Sequence, residues 1–109
     1  MTENFEKAKV KLVTIVASFN VGDRICAELR ELGVSGYTRS KVDGWGAHGA
    51  RKAGFIDGAN VRLETLVGAE LADKVLRMIA ARSADEAVVA FAVDAEAVPS
   101  NHFGPAERW

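Results

Sequence analysis

A glycine-rich stretch with a histidine and two adjacent cations, "GWGAHGARK" at residues 44–52, has the composition of an anion-binding segment. Its glycines let backbone amides approach a ligand closely and form an anion-binding nest. Arg51 can fork onto a phosphate, Lys52 adds a point charge, and His48 can donate to the same anion. The glycines in question are Gly44, Gly46 and Gly49.

The same stretch can be aligned with the G-x-G-x-x-G fingerprint of dinucleotide-binding folds. That fingerprint requires a strand before it and a helix after it. A strand does precede it, but Gly54, Asp57 and Gly58 interrupt any helix that would follow. The sequence therefore argues against a dinucleotide fold and leaves an anion-binding loop.

Other residues that could do chemistry are sparse and scattered. Two histidines and one cysteine, Cys26, do not form a metal-ligand cluster at a recognisable spacing. No serine has the context of a catalytic nucleophile. Asp94 and Glu96 share one face of a strand, where solvated charges are the simpler interpretation than a catalytic pair. The sequence therefore predicts ligand binding without a required metal and without catalysis.

The elements that must position these residues follow from the periodicity of apolar side chains. The pattern alternates or is apolar on both faces in the strands and repeats at helical spacing in the helices. Asn20 is the expected N-cap of the first helix and Gly33 its stop, while Cys26 adjoins the apolar stripe of that helix and is expected in the core. The predicted strands are 9–18, 36–43, 60–67 and 86–98, and the predicted helices are 20–33 and 68–83.

This order, β-α-β then β-α-β, predicts an α+β, ferredoxin-like sandwich formed by a single domain over residues 1–109. About 17 residues, 43–59, separate the second and third strands, and a loop of that length in a small domain is usually functional. Residues 99–109 are expected to form a polar surface tail. Helices cover one face of such a sheet, so we expect oligomerisation to cover the other.

Bulk composition excludes several classes of function. The 109 residues carry a net charge of −1, which gives no electrostatic basis for nucleic-acid binding. No apolar run approaches the ~20 residues that span a bilayer, and the N-terminus lacks the apolar core of a signal peptide. With one cysteine and no intrachain disulfide, the expected location is the cytoplasm.

Several motifs in a fixed order resemble the PII signal-transduction family over nearly the whole chain. The family's pattern is a helix ending in Gly-(Ile/Val)-x-Gly-x-Thr, followed by a strand that runs into G-x-G at the base of a long loop. Gly33, Gly36 and Thr38 match the first part, and Gly44 and Gly46 match the second. "VRLETLV" is similar to the family's third strand.

The resemblance implies a homotrimer that binds adenine nucleotides in clefts between subunits, with the long loop reporting occupancy to a protein target. Carried over by position, Thr38 would contact the adenine end and Gly44, Gly46 and Gly49 would line the cleft. His48 and Arg51 would meet the phosphates. The same carry-over adds three residues to the nucleotide site, namely Trp45, Val88 and Val89.

Two departures from the classical pattern point to a branch of the family. The glycine- and lysine-rich loop that wraps ATP phosphates is replaced by "RSADEAVV", and the arginine pair after the last strand by "DAEAVPSN". AMP, ADP or cyclic AMP is therefore expected rather than ATP. Similar losses occur in PII-like proteins linked to inorganic carbon, which regulate bicarbonate transporters or associate with carboxysomes.

That branch implies regulation of carbon uptake or fixation, bicarbonate as a second ligand, and contact with a membrane only through a transporter. Two alternatives with the same fold remain open from the sequence. One is a divalent-metal-binding trimer, and the other is a small nucleotide hydrolase.

Overall fold

The computed structural model describes residues 5–43 and 60–103. Its elements follow the predicted order, β-α-β-β-α-β, and a short 3₁₀ turn comes after the last strand. The α+β, ferredoxin-like prediction is therefore confirmed. The elements are β1 (Ala8–Ser18), α1 (Phe19–Leu32), β2 (Thr38–Val42), β3 (Asn60–Val67), α2 (Ala69–Arg82), β4 (Val88–Ala97) and the C-terminal turn (Ser100–His102).

The four strands form one antiparallel sheet in the order β2-β3-β1-β4. One row of cross-strand partners runs over the whole sheet: Thr38 pairs with Glu64, Glu64 with Thr14, and Thr14 with Phe91. Directly paired residues point to the same face. This row therefore places residues from all four strands on a single surface.

Both helices pack on the other face, where the main core lies. The alternation predicted for β3 is confirmed, since Val61, Leu63, Thr65 and Val67 are all buried. Cys26 on α1 is also buried, as predicted for a core thiol. The core thus uses one face of the sheet and leaves the face with the Thr38–Phe91 row to other contacts.

The two ends of α1 show one correct and one wrong prediction. Gly33 ends the helix in the left-handed region at φ 100°, and its amide donates to the carbonyl of Arg30. The helix begins earlier than predicted, however, because Ser18 and not Asn20 is the N-cap. The Ser18 hydroxyl accepts a hydrogen bond from the amide of Val21 at 3.4 Å, so the helix starts directly at the end of β1.

The face opposite the helices, called here the open face, is apolar in two parts. At one end Phe103 folds back onto β1 and β4 and packs against Ala8, Val10 and Ala97. The expectation of a wholly polar surface tail was therefore wrong for Phe103, which is 5% exposed. An aromatic ring at this position gains more by covering the apolar ends of two strands than by remaining in water.

The other part of the open face stays uncovered. Alternate side chains of β4 form an exposed apolar row, which we call the β4 row: Val89, Phe91 and Val93, each about half exposed. Contiguous apolar surface of this kind is typical of an interaction site. Within residues 5–43 and 60–103, no helix has the length and apolar composition to cross a membrane.

Candidate functional site

A cleft of about 600 Å³ opens on the sheet at the start of β2. Its apolar surface comes from strand residues and from the segment that follows β4, namely Leu12, Leu66, Val98, Pro99 and Phe103. Polar side chains line it as well, from β2, β3, the C-terminal turn and the segment before β2: Thr38, Glu64, Thr65, His102, Ser35 and Tyr37. An apolar cleft with a few convergent polar groups is the usual form of a small-molecule site.

The strand register explains why Thr38 and Glu64 lie side by side. They are direct cross-strand partners of β2 and β3, which places their Cβ atoms ~5 Å apart. The hydroxyl of Thr65 donates to the carbonyl of Gly36 at 2.6 Å and so ties the segment before β2 to β3. The polar pair is therefore held in place by the backbone pairing of two strands.

Tyr37 forms another part of the cleft lining and is held by α1. Its hydroxyl accepts a hydrogen bond from the guanidinium of Arg30 at 2.8 Å. A hydrogen bond with Cys26 and partial burial raise the pKa of Tyr37 above its ordinary value, so the phenol stays protonated at neutral pH. Tyr37 is thus a neutral, fixed wall of the cleft.

Arg39 follows Thr38 in β2 but points to the opposite face of the sheet. Its guanidinium donates to the Asp23 carboxylate at 2.7 Å and lies 4.6 Å from the centroid of the Phe19 ring. The hydrogen bond to Asp23 raises the pKa of Arg39 above its ordinary value. This arginine therefore joins β2 to α1 and is not part of the cleft.

His102 is a cleft residue that sequence reasoning missed, because its place in the tail suggested a solvated side chain. Its amide donates to the carbonyl of Pro99 at 3.1 Å, which closes the C-terminal turn. Its ring meets that of Phe103 edge-on at 5.2 Å. The signal available in the sequence was the neighbouring phenylalanine, which anchors the turn to the sheet.

The predicted site residues divide between the two edges of the sheet. Thr38 lies on the edge strand β2, whereas Val88 and Val89 begin the opposite edge strand, β4. Three strand spacings, or ~14 Å, separate those edges. Val88 packs against the core on the helix side, and Val89 belongs to the β4 row on the open face. One chain therefore does not bring Thr38 together with these two residues.

The remaining predicted residues belong to the segment between β2 and β3. The two strands that flank it end with the pairing of Val42 with Asn60, and Asn60 is buried. Residues 44–59 lie outside the described part of the chain, and with them the other predicted site residues: Gly44, Trp45, Gly46, His48, Gly49 and Arg51. Among residues 5–43 and 60–103, no group of three or more histidine, cysteine, aspartate or glutamate side chains is arranged to hold a metal ion.

Comparisons with solved structures and with family profiles show which proteins this chain resembles. A solved protein of Thermus thermophilus described as PII-like is 30% identical, has a TM-score of 0.76, and is matched over 91% of this chain and 99% of its own. CPII of Thiomonas intermedia, a nitrogen regulatory PII-like protein, gives a TM-score of 0.77 at 21% identity in its complex with ADP, AMP and acetate, over 91% of this chain and 98% of its own. Its complex with ADP, AMP and bicarbonate gives 0.72 at 22% identity, over 84% and 96%.

A search of curated protein sequences finds no significant match to the chain. The profile of the family described as nitrogen regulatory protein P-II, however, matches residues 10–100, which is most of the chain. This match includes every strand and helix described above, except the first residues of β1 and the end of the C-terminal turn. The structural neighbours are PII-like as well. The chain therefore belongs to the P-II family, in its PII-like branch.

Proposed function

We propose that this chain is a non-enzymatic PII-like signalling protein of the cytoplasm that binds adenine nucleotides at the Thr38 cleft. The observation that carries this proposal is the cleft itself, where Thr38 and Glu64 stand beside an apolar surface. A purine offers a flat apolar face together with donors and acceptors on its edge. The cleft offers the complementary combination, and the Glu64 carboxylate can accept from an exocyclic amine.

A homotrimer completes the site in this proposal. Thr38 and the pair Val88 and Val89 lie on opposite edges of the sheet, so a neighbouring subunit is needed to bring a β2 edge to a β4 edge. The exposed β4 row supports the same arrangement, because it is an apolar surface that this chain leaves uncovered. The loop at 43–59 would then supply Arg51 and His48 to the phosphates at the boundary between subunits.

We further propose AMP, ADP or cyclic AMP as the preferred ligand over ATP, with bicarbonate as a second ligand. The acidic "RSADEAVV" segment supports this preference because its single cation, Arg82, is already paired with Glu28 and Glu86. The complexes of CPII with ADP, AMP and bicarbonate support the ligand class. The regulated target would be a bicarbonate transporter or a component of carbon fixation, and contact with a membrane would occur only through a transporter.

Calorimetric titration of the purified chain tests the nucleotide site. We expect binding of AMP, ADP and cyclic AMP that is tighter than binding of ATP. Thr38→Val keeps the shape of the side chain and removes its hydroxyl, so it should weaken AMP about fivefold, as expected for one hydrogen bond. Ser40→Ala is the matched control, because Ser40 lies two residues further along the same face of β2 and outside the cleft.

Two results would contradict the proposal. One is the absence of binding by all four nucleotides at millimolar concentration. The other is an equal loss of AMP affinity in Thr38→Val and Ser40→Ala, which would mean that the ligand does not bind in the cleft. Titrating AMP with and without bicarbonate tests the second ligand, and an unchanged affinity would remove bicarbonate from the proposal.

A further inference from the structure

The C-terminal turn brings His102 to the same cleft as Thr38, although 64 positions separate them in the chain. The turn is not a loosely attached tail. Phe103, directly after it, is buried against Ala8, Val10 and Ala97, and the amide of His102 is bonded to Pro99. His102 is exposed, yet the segments on either side of it are fixed to the sheet.

The polar groups around the cleft favour one part of a nucleotide over another. Within residues 5–43 and 60–103, no side chain forms a hydrogen bond or an ion pair with the Glu64 carboxylate or with the His102 imidazole. An unpaired carboxylate repels a phosphate but accepts hydrogen bonds from a base or a ribose. The ring nitrogens of an imidazole can form hydrogen bonds with the edge of a base or with a pair of ribose hydroxyls.

We propose that His102 is a ligand-contacting residue at the nucleoside end of the cleft, where it binds the base or ribose and not the phosphates. This inference rests on the proposed nucleotide-binding function. The turn closes the end of the cleft formed by Thr38 and Glu64, so a ligand at that end lies within reach of His102.

Titration of adenosine and of AMP into His102→Ala tests this assignment. Loss of one hydrogen bond should weaken both ligands by the same factor, about fivefold to tenfold. His102→Gln retains a donor and an acceptor and should recover part of the affinity. Asn101→Ala is the matched control, since Asn101 is exposed in the same turn but does not line the cleft, and it should change neither ligand by more than about twofold.

The outcomes separate this inference from the function on which it rests. If the unmodified chain binds neither ligand, both fall together. If it binds both and His102→Ala binds them equally well, the role of His102 is overturned and nucleotide binding stands. If His102→Ala weakens AMP and spares adenosine, His102 contacts the phosphates and the assignment is overturned. Circular dichroism of each variant identifies any loss that comes from unfolding, and His102→Gln then decides the question.

Discussion

Replacing Phe91 should break the proposed trimer without unfolding the subunit. Phe91 lies in the middle of the β4 row, and it points away from the helices and the main core. Its removal therefore leaves no cavity inside the chain. The same side chain would be at the centre of any contact that covers the open face.

The size of the effect follows from the exposed area of that side chain. Phe91 is 52% exposed in the single chain, and a phenylalanine presents ~200 Å². About 100 Å² per subunit would then become buried on assembly, which is worth ~2.5 kcal/mol at ~25 cal/mol per Å². Phe91→Ala should weaken association by roughly 60-fold for each subunit contact. Phe91→Asp should have a larger effect, because it also places a charge in the interface.

Sedimentation equilibrium over a wide concentration range measures the association directly. Phe5→Ala is the matched control, because Phe5 is 68% exposed but precedes the sheet, where its ring lies near the Lys7 ammonium. We expect a trimer for the unmodified chain and for Phe5→Ala, and subunits with unchanged far-ultraviolet dichroism for Phe91→Asp. A Phe91→Asp variant as trimeric as the unmodified chain would refute the reasoning, as would an unmodified chain that stays monomeric.

Three further predictions concern the stability of the subunit. Arg82→Ala should lower the free energy of unfolding by about 1 kcal/mol, because its largely buried guanidinium forms ion pairs with two glutamates. Arg77→Ala, on the same helix, should leave the melting temperature nearly unchanged, since the ion pair of Arg77 is exposed. Burial raises the pKa of Glu86, but hydrogen bonds from two arginines lower it by more. The contribution of Glu86 to the free energy of unfolding is therefore complete above the ordinary glutamate pKa of ~4.3 and is lost as the pH falls below that value. A melting temperature that falls as steeply in acid for Glu86→Gln as for the unmodified chain would contradict this. Gly33→Ala should cost about 1 kcal/mol in chemical denaturation, because φ is 100° there, while Gly36→Ala meets open space and should cost little; equal losses would show that backbone strain is not the cause.

The sequence predicted most accurately those features that depend on neighbouring residues. The alternation over 60–67 marked β3 at both ends, and Gly33 marked the end of α1, because periodicity and a left-handed cap are local properties. The start of α1 was misplaced at Asn20 because Ser18 belongs both to the end of β1 and to the cap of the helix. A pattern of residue types does not show which of two nearby polar residues takes that role.

The candidate site was only partly predictable for a different reason. Thr38 was identified by resemblance to the PII family, because Gly33, Gly36 and Thr38 match a family motif that lies within six residues. The tertiary structure alone placed Glu64 and His102 beside it, since these contacts join residues that are 26 and 64 positions away from Thr38. Burial of Phe103 likewise depends on two distant strands whose apolar ends are left uncovered.

The sequence by itself thus determined the order of the elements and the family pattern, since both are written in short stretches of residues. The tertiary structure decided which strands are edges, which face of the sheet stays open, and which side chains share a cleft. Those properties depend on strand register, because a shift by one residue would send each side chain of a strand to the opposite face. The register is set by the burial of the whole core, and no single segment contains that information.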